Sequence, residues 1–386
     1  MERIKRILSI ELPQGQSAFL WGPRKTGKTT YLKERFPESI YYDFLKTDLF
    51  FEFSRRPYLL REQLLAKDRN RLKYFIILDE VQKIPQILDE VHWLIDNKKL
   101  SFILCGSSAR KLKRGNVNLL GGRAWHYEMF PLTTAELKKW DILHILNQGM
   151  IPDHYLKKGY KKPLQAYTQD YLKEEVFAEG LTRNIPAFSR FFESMAYSHG
   201  ELTSYLNISR ECGVNSKTVK EYYQILVDTL LGTMIKPFKK RQNRQVITRA
   251  SKFYLFDVGI AGAITKRYLL EKKGELFGKA FEHFILMEII AYNSYKELSF
   301  EINFWRTKSG LEVDFILGGG EVAIEVKSSE NISQRDLYPM KVFIDEYSPR
   351  IAFVVCNESE ERVHEKIHII PYKKFLDNLW LGNIIK

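Results

Sequence analysis

At 386 residues with 45% hydrophobic residues, the chain is too long for one typical domain and too rich in core-forming residues to be a disordered tail. Its formal net charge of +13 points to a polyanionic partner, nucleic acid first. No run approaches the roughly 18 consecutive apolar residues of a membrane span, and the three cysteines (Cys105, Cys212, Cys356) are widely spaced, so no membrane partner, disulfide framework or cysteine-built metal site is expected, and the cytoplasm is the expected compartment.

Residues 1–16 read as a short amphipathic helix through Ile4, Ile7 and Leu8, turning at Pro13 and Gly15. The apolar run Ala18-Phe19-Leu20-Trp21 then reads as a buried strand leading into Gly22-x-x-x-x-Gly27-Lys28-Thr29, with a helix following. In this strand–loop–helix setting the glycines let successive backbone N–H groups converge on nucleotide phosphates. Lys28 would reach the β and γ oxygens, Thr29 would offer a hydroxyl to Mg2+, and the helix dipole adds to the attraction. Gly22, Pro23, Arg24, Lys25, Thr26, Gly27, Lys28, Thr29 and Thr30 are thus expected around ATP.

Residues 39–44 read as a second strand, and 74–80 as a central parallel strand ending in Asp79-Glu80. Asp79 would hold Mg2+ through water and Glu80 would polarise the attacking water, the two roles that in-line phosphoryl transfer needs. A further buried strand, 100–105, ends in Gly106-Ser107-Ser108, where Ser107 is placed to sense the γ-phosphate. Phosphate loop, Asp-Glu strand and sensor strand together resemble the AAA+ ATPases. With 120–123 and 127–136, they resemble the bacterial and archaeal group that carries a C-terminal domain of unknown function. That resemblance makes Arg123 a candidate γ-phosphate contact, within the chain or offered to a neighbour in a homo-oligomer, with Arg110 and Arg114 as alternatives. It also makes residues 133–190 a helical lid over the 1–132 ATPase core.

Residues 191–262 have a different pattern. A helix begins near Leu202, Cys212-Gly213-Val214-Asn215 turns, and Ser216 is placed to cap a helix with Val219, Tyr222, Tyr223, Leu226 and Leu230 at helical spacing. Strand-like segments at 233–236 and 253–256 bracket 236–252, which holds seven basic residues and no acidic one. This is a winged helix-turn-helix pattern with a basic wing. Lys217, Thr218 and Lys220 would face DNA from the helix, and Lys239, Lys240, Arg241 and Arg244 from the wing.

Residues 263–386 carry a second constellation. A helix opens near Gly278 with Glu282 on it, followed by 312–317, Gly318-Gly319-Gly320 and 321–327. A hairpin turning at Gly319-Gly320 sets Asp314 opposite Glu325 and Glu312 opposite Lys327, and puts Val313, Phe315, Leu317, Val322, Ile324 and Val326 on one apolar face. Opposed side chains lie at Cβ separations of roughly 4.5–5.5 Å, close enough for two carboxylates to share Mg2+. This resembles the PD-(D/E)XK, restriction-endonuclease-like nucleases, with Glu282, Asp314, Glu325 and Lys327 matching in order and Val313 standing where a proline often precedes the Asp. The resemblance implies that Glu282, Asp314 and Glu325 hold the metal and that Lys327 steadies the reacting phosphate.

The expected architecture is therefore α/β and multidomain: a P-loop (AAA+) parallel-sheet core, a helical lid, a winged helix and a restriction-endonuclease-like αβ domain. The expected function is ATP hydrolysis coupled to DNA, with a Mg2+-dependent nuclease-like domain. The alternative is a nucleotide-switched DNA- or protein-binding module whose nuclease-like domain is not catalytic.

Overall fold

The computed structural model describes residues 4–13, 15–108, 110, 120–157, 159–168, 184–239 and 250–386. The chain forms two compact units. One is Arg6–Pro131 with Asp228–Leu231; the other is Leu132–Val227 with Gly232–Lys386 and the extreme N-terminal residues.

The first unit is built on a five-stranded parallel sheet, β1 (Ser17–Trp21), β2 (Ile40–Asp43), β3 (Ile76–Asp79), β4 (Phe102–Gly106) and β5 (Ala124–Glu128), in the order β2-β3-β4-β1-β5. β1, β3 and β4 are buried at every position, which is why each reads as an unbroken apolar run rather than an alternation. The helices Lys28–Arg35 and Ile87–Lys98 follow β1 and β3. Residues 4–13 form no helix. Their burial alternates, with Leu8 and Ile10 buried between exposed neighbours, so the period is two where the sequence suggested 3.6. Arg6 holds this segment down by donating to the carbonyls of Thr26, Phe130 and Pro131.

The second unit holds an eight-stranded mixed sheet formed by β6 (Gly232–Pro237), β7 (Lys252–Leu255), β8 (Ile302–Arg306), β9 (Glu312–Leu317), β10 (Val322–Val326), β11 (Ile351–Cys356), β12 (Arg362–His364) and β13 (Ile367–Pro371). Their order is β12-β13-β11-β10-β9-β8-β6-β7. The long helix Glu275–Tyr295 covers one face through Phe277, Phe281, Phe284 and Ile285, and the helix Gln334–Tyr347 covers the other through Leu337, Met340 and Phe343.

The structure divides the chain differently from the four segments read in sequence. The short helices of the expected lid, Ile142–Gln148 among them, place Ile142, Ile145 and Leu146 in the core under Glu275–Tyr295. The strands flanking the expected wing, β6 and the edge strand β7, belong to the same eight-stranded sheet, joined to it where Lys236 and Pro237 of β6 pair with Asn303 and Phe304. A boundary at 262/263 therefore cuts through a sheet. The helix Ser216–Asp228 is capped one residue earlier than expected, because the Asn215 side chain accepts from Thr218 N (2.8 Å) while Ser216 is already helical.

Candidate functional site

β1 delivers the chain to the phosphate loop. Gly22 has φ +157°, and a Cβ there would lie 2.4 Å from the carbonyl oxygen of Met129, so only glycine fits beside the end of β5. Gly27 (φ +96°) sits in the left-handed region and opens the helix Lys28–Arg35. Thr26 Oγ1 donates to Pro23 O (2.9 Å) and closes the loop from within. The buried Lys28 ammonium donates to Gly22 O (2.6 Å) and Pro23 O (2.9 Å), so its charge is held at the loop's mouth. Arg24, Lys25, Thr29 and Thr30 are exposed.

Thr29 Oγ1 donates to Asp79 Oδ2 (2.7 Å), joining loop and acidic strand as the spacing requires. Tyr41, on neighbouring β2, donates its hydroxyl to the same oxygen, and burial together with the Asp79 charge keeps that phenol protonated. Glu80 is left-handed (φ +60°), an uncommon conformation for a non-glycine residue that turns its side chain out of the strand direction. Burial raises the Glu80 carboxyl above its ordinary range; Lys28 and Arg24 oppose the rise and Asp79 adds to it. Gln82 Nε2 donates to Glu80 Oε2 (2.6 Å) and to Ser107 Oγ (3.0 Å), tying the acid to the sensor strand. Gly106 makes room for it, since a Cβ there would lie 2.2 Å from Gln82 Oε1. An amide donor two residues after Asp-Glu is the signal that could have revealed Gln82.

The donor set fits Mg2+: a hydroxyl and a carboxylate oxygen, both hard, held 2.7 Å apart beside a lysine that answers phosphate charge. Thr29 and Asp79 would hold the ion, which would neutralise developing charge on the phosphates. Arg123 does not join this group. Parallel β1 and β5 pair Ser17 with Ala124 and Trp21 with Glu128, so Arg123 lies at the N-terminal edge of the sheet, opposite the phosphate loop. Four residues of strand, roughly 13 Å, separate the two edges. Its guanidinium grips Asp96 through Nε (2.7 Å) and Nη2 (3.2 Å). The expectation of Arg123 on the chain's own γ-phosphate is corrected accordingly. Arg110 forms an ion pair with Asp228, and Arg114 lies outside the described residues.

In the second unit the expected β9–β10 register holds: Val322 pairs with Leu317, Ala323 with Ile316 and Ile324 with Phe315. A β-bulge changes its consequence. Between the pairs Asn303–Ile316 and Trp305–Val313, β9 carries one residue more than β8. Val313 therefore packs with Ile316 and Ala323 under the helix Gln334–Tyr347, not with Phe315 and Leu317, and the hairpin is buried on both faces.

Asp314 and Glu325 are adjacent and buried. Glu325 Oε2 accepts from Asp314 N (3.2 Å), Asp314 Oδ2 accepts from Val326 N (2.8 Å), and Lys327 pairs with Glu325. Burial raises both carboxyls; the neighbouring acid adds to the rise in Asp314, while Lys327 opposes it in both. Glu282 is engaged elsewhere. It accepts from the Tyr254 hydroxyl and from Lys252 Nζ (3.3 Å), and Lys252 also pairs with Glu312, which Arg306 holds at 2.6 Å. Among the described residues no three of His, Cys, Asp and Glu gather in a way that could hold a metal ion. In this arrangement Asp314 and Glu325 each accept from a backbone N–H group, and Glu282 accepts from Lys252 and Tyr254. Lys252, one of the seven basic residues of 236–252, is buried in this network. Lys236 and Lys239 are exposed, whereas Lys240, Arg241 and Arg244 lie outside the described residues.

Residues 14–138 match the family model described as an AAA domain, which with the parallel five-stranded sheet supports a P-loop ATPase of AAA type for the first unit. Residues 140–269 and 277–375 match two further models, each described as a domain of unknown function. Two uncharacterized proteins, from Mycobacterium tuberculosis and Mycobacterium bovis, are each 24% identical over 373 residues, covering 92% of this chain and 80% of their own length. Among the described residues no helix is long and apolar enough to cross a membrane.

Proposed function

We propose that the chain binds and hydrolyses ATP and that its second unit is a binding module governed by nucleotide state. One observation carries the first part: Lys28, Thr29, Asp79, Glu80, Gln82 and Ser107 converge at the C-terminal ends of β1, β3 and β4. Lys28 answers the phosphate charge, and Thr29 with Asp79 fixes the metal side. Glu80, steered by its left-handed backbone and by Gln82, takes the proton of the attacking water. Lys28→Ala and Glu80→Gln are each expected to lower kcat for ATP hydrolysis at least a hundredfold, with Glu80→Gln keeping nucleotide affinity. Undiminished hydrolysis in both would overturn the assignment.

For the second unit binding is the reading adopted over cleavage, on the ion pairs of Lys252 with Glu282 and of Lys327 with Glu325. DNA is the proposed partner on the strength of the basic residues of 236–252 other than the buried Lys252. Its affinity should fall steeply with salt, as counterion release demands. Plasmid cleavage in Mg2+ or Mn2+ that disappears in Asp314→Ala and Lys327→Ala would establish the nuclease reading instead.

A further inference from the structure

The helices Lys161–Ala166, Ile185–Tyr197 and Val258–Ile264, with the loop after the last, line an open pocket of about 760 Å³ in the second unit. Small-molecule sites run from roughly 300 to 1,000 Å³. Among the described residues its walls carry three cations, Lys161, Lys266 and Arg267, and one carboxylate, Glu193, together with the aromatic rings of Tyr160, Phe192 and Tyr268.

Arg267 is the unusual member. Its Nη2 donates to Leu146 O (2.9 Å) and Val258 O (3.0 Å), while its buried Nε has no hydrogen-bond partner among the described residues. The backbone is shaped to put it there. Lys266 is left-handed (φ +54°), and Arg267 N donates to Gly262 O (2.8 Å). A Cβ on Gly262 would come within 2.8 Å of Arg267 Nη2. Asp257 does not neutralise it by contact, since that carboxylate accepts from Met150 N, Gly259 N and Ile260 N. Burial lowers Arg267 to about 10, with only the field of Asp257 opposing. Arg267 thus brings a positive charge to the pocket wall, beside the exposed ammonium of Lys266. The aromatic side is also prepared, with Lys161 Nζ 4.7 Å from the centre of the Tyr268 ring.

We propose that this pocket binds a nucleotide unit, with Arg267 and Lys266 taking the phosphate and Tyr160 and Tyr268 taking the base. Cationic groups beside stacking rings are the combination that recognises a phosphate joined to a planar base. The unit is either a free mononucleotide or one residue of a single strand. The site is separate from the phosphate loop.

The test uses the full chain carrying Lys28→Ala, so that the phosphate loop does not report. Etheno-AMP, a pentamer of etheno-deoxyadenylate and phosphate-free ethenoadenosine are titrated by fluorescence anisotropy. Binding of at least one phosphate-bearing probe is expected, weakened tenfold or more by Lys266→Glu and by Tyr268→Ala. Both side chains are exposed, so these variants should fold even where Arg267→Gln does not. Tighter binding of the pentamer identifies a strand, and tighter binding of etheno-AMP identifies a free nucleotide. Affinities unchanged in both variants, ethenoadenosine binding as tightly as etheno-AMP, or no binding of either phosphate probe would overturn the proposal. Each of these results leaves the ATPase reading untouched, because hydrolysis is measured separately.

Discussion

At the scale of single residues, Gln82 connects the acid of the ATP site to its sensor. Its one amide nitrogen reaches both Glu80 Oε2 and Ser107 Oγ, so it fixes the carboxylate without itself reacting. Gln82→Ala is expected to lower kcat ten- to a hundredfold, about 1.4–2.7 kcal/mol of barrier, while leaving KM nearly unchanged. A steady-state titration of ATP separates the two constants, and a pure KM effect would refute the positioning role. Because burial raises the Glu80 carboxyl, protonation disables it at a higher pH than an ordinary glutamate. The acid limb of the rate profile should thus lie above the usual carboxylate range. The loop residues and Asp79-Glu80 were legible in sequence because their chemistry is local and fixed in spacing. Tyr41 and Gln82 were not, since the first reaches Asp79 only by strand pairing and the second acts through a turn that follows the motif.

At the scale of elements, the helix Glu275–Tyr295 shows what its apolar pattern hides. It carries Glu288 into the core, where Thr134 N (2.9 Å), Thr134 Oγ1 (2.7 Å) and Trp380 Nε1 (2.7 Å) donate to the carboxylate. Burial still outweighs these donors and raises the carboxyl from 4.5 to about 7. Between those values the native state keeps a proton that the unfolded chain has lost, so stability is fully present below about 4.5 and declines as pH rises toward 7. The span corresponds to up to about 3 kcal/mol. Thermal melts from pH 4.5 to 8 should show this decline, and Glu288→Gln should flatten it; an unchanged slope in the variant would assign the effect elsewhere. Element pairing was legible where both halves are adjacent in sequence, as in the β9–β10 hairpin with its three positive-φ glycines, Gly318, Gly319 and Gly320. The bulge in β9 was not, because it is imposed by β8 across a separate pairing. One extra residue there was enough to send Val313 to the opposite face.

At the scale of the whole molecule, sequence grammar divides the chain by motif, whereas the structure divides it by shared core. The basic stretch and its flanking strands look self-contained in sequence, yet β6 pairs with β8 and Phe238 packs against Trp305, Phe343 and Tyr347. On the other face Leu132, Ile142, Ile145, Leu146, Met150, Ile235, Tyr254 and Val258 belong to the core that the helix Glu275–Tyr295 completes. A fragment of 263–386 would lose all eight of these side chains, strip Lys252 from Glu282 and Glu312, and expose the β8 edge. Bared apolar surface and an unpaired strand edge both favour aggregation. Expressed alone, 263–386 should be insoluble or unfolded, whereas 132–386 should give a monodisperse product with a cooperative thermal transition. Cooperative unfolding of the shorter fragment by circular dichroism would show that the motif boundary, rather than the shared core, marks the folding unit.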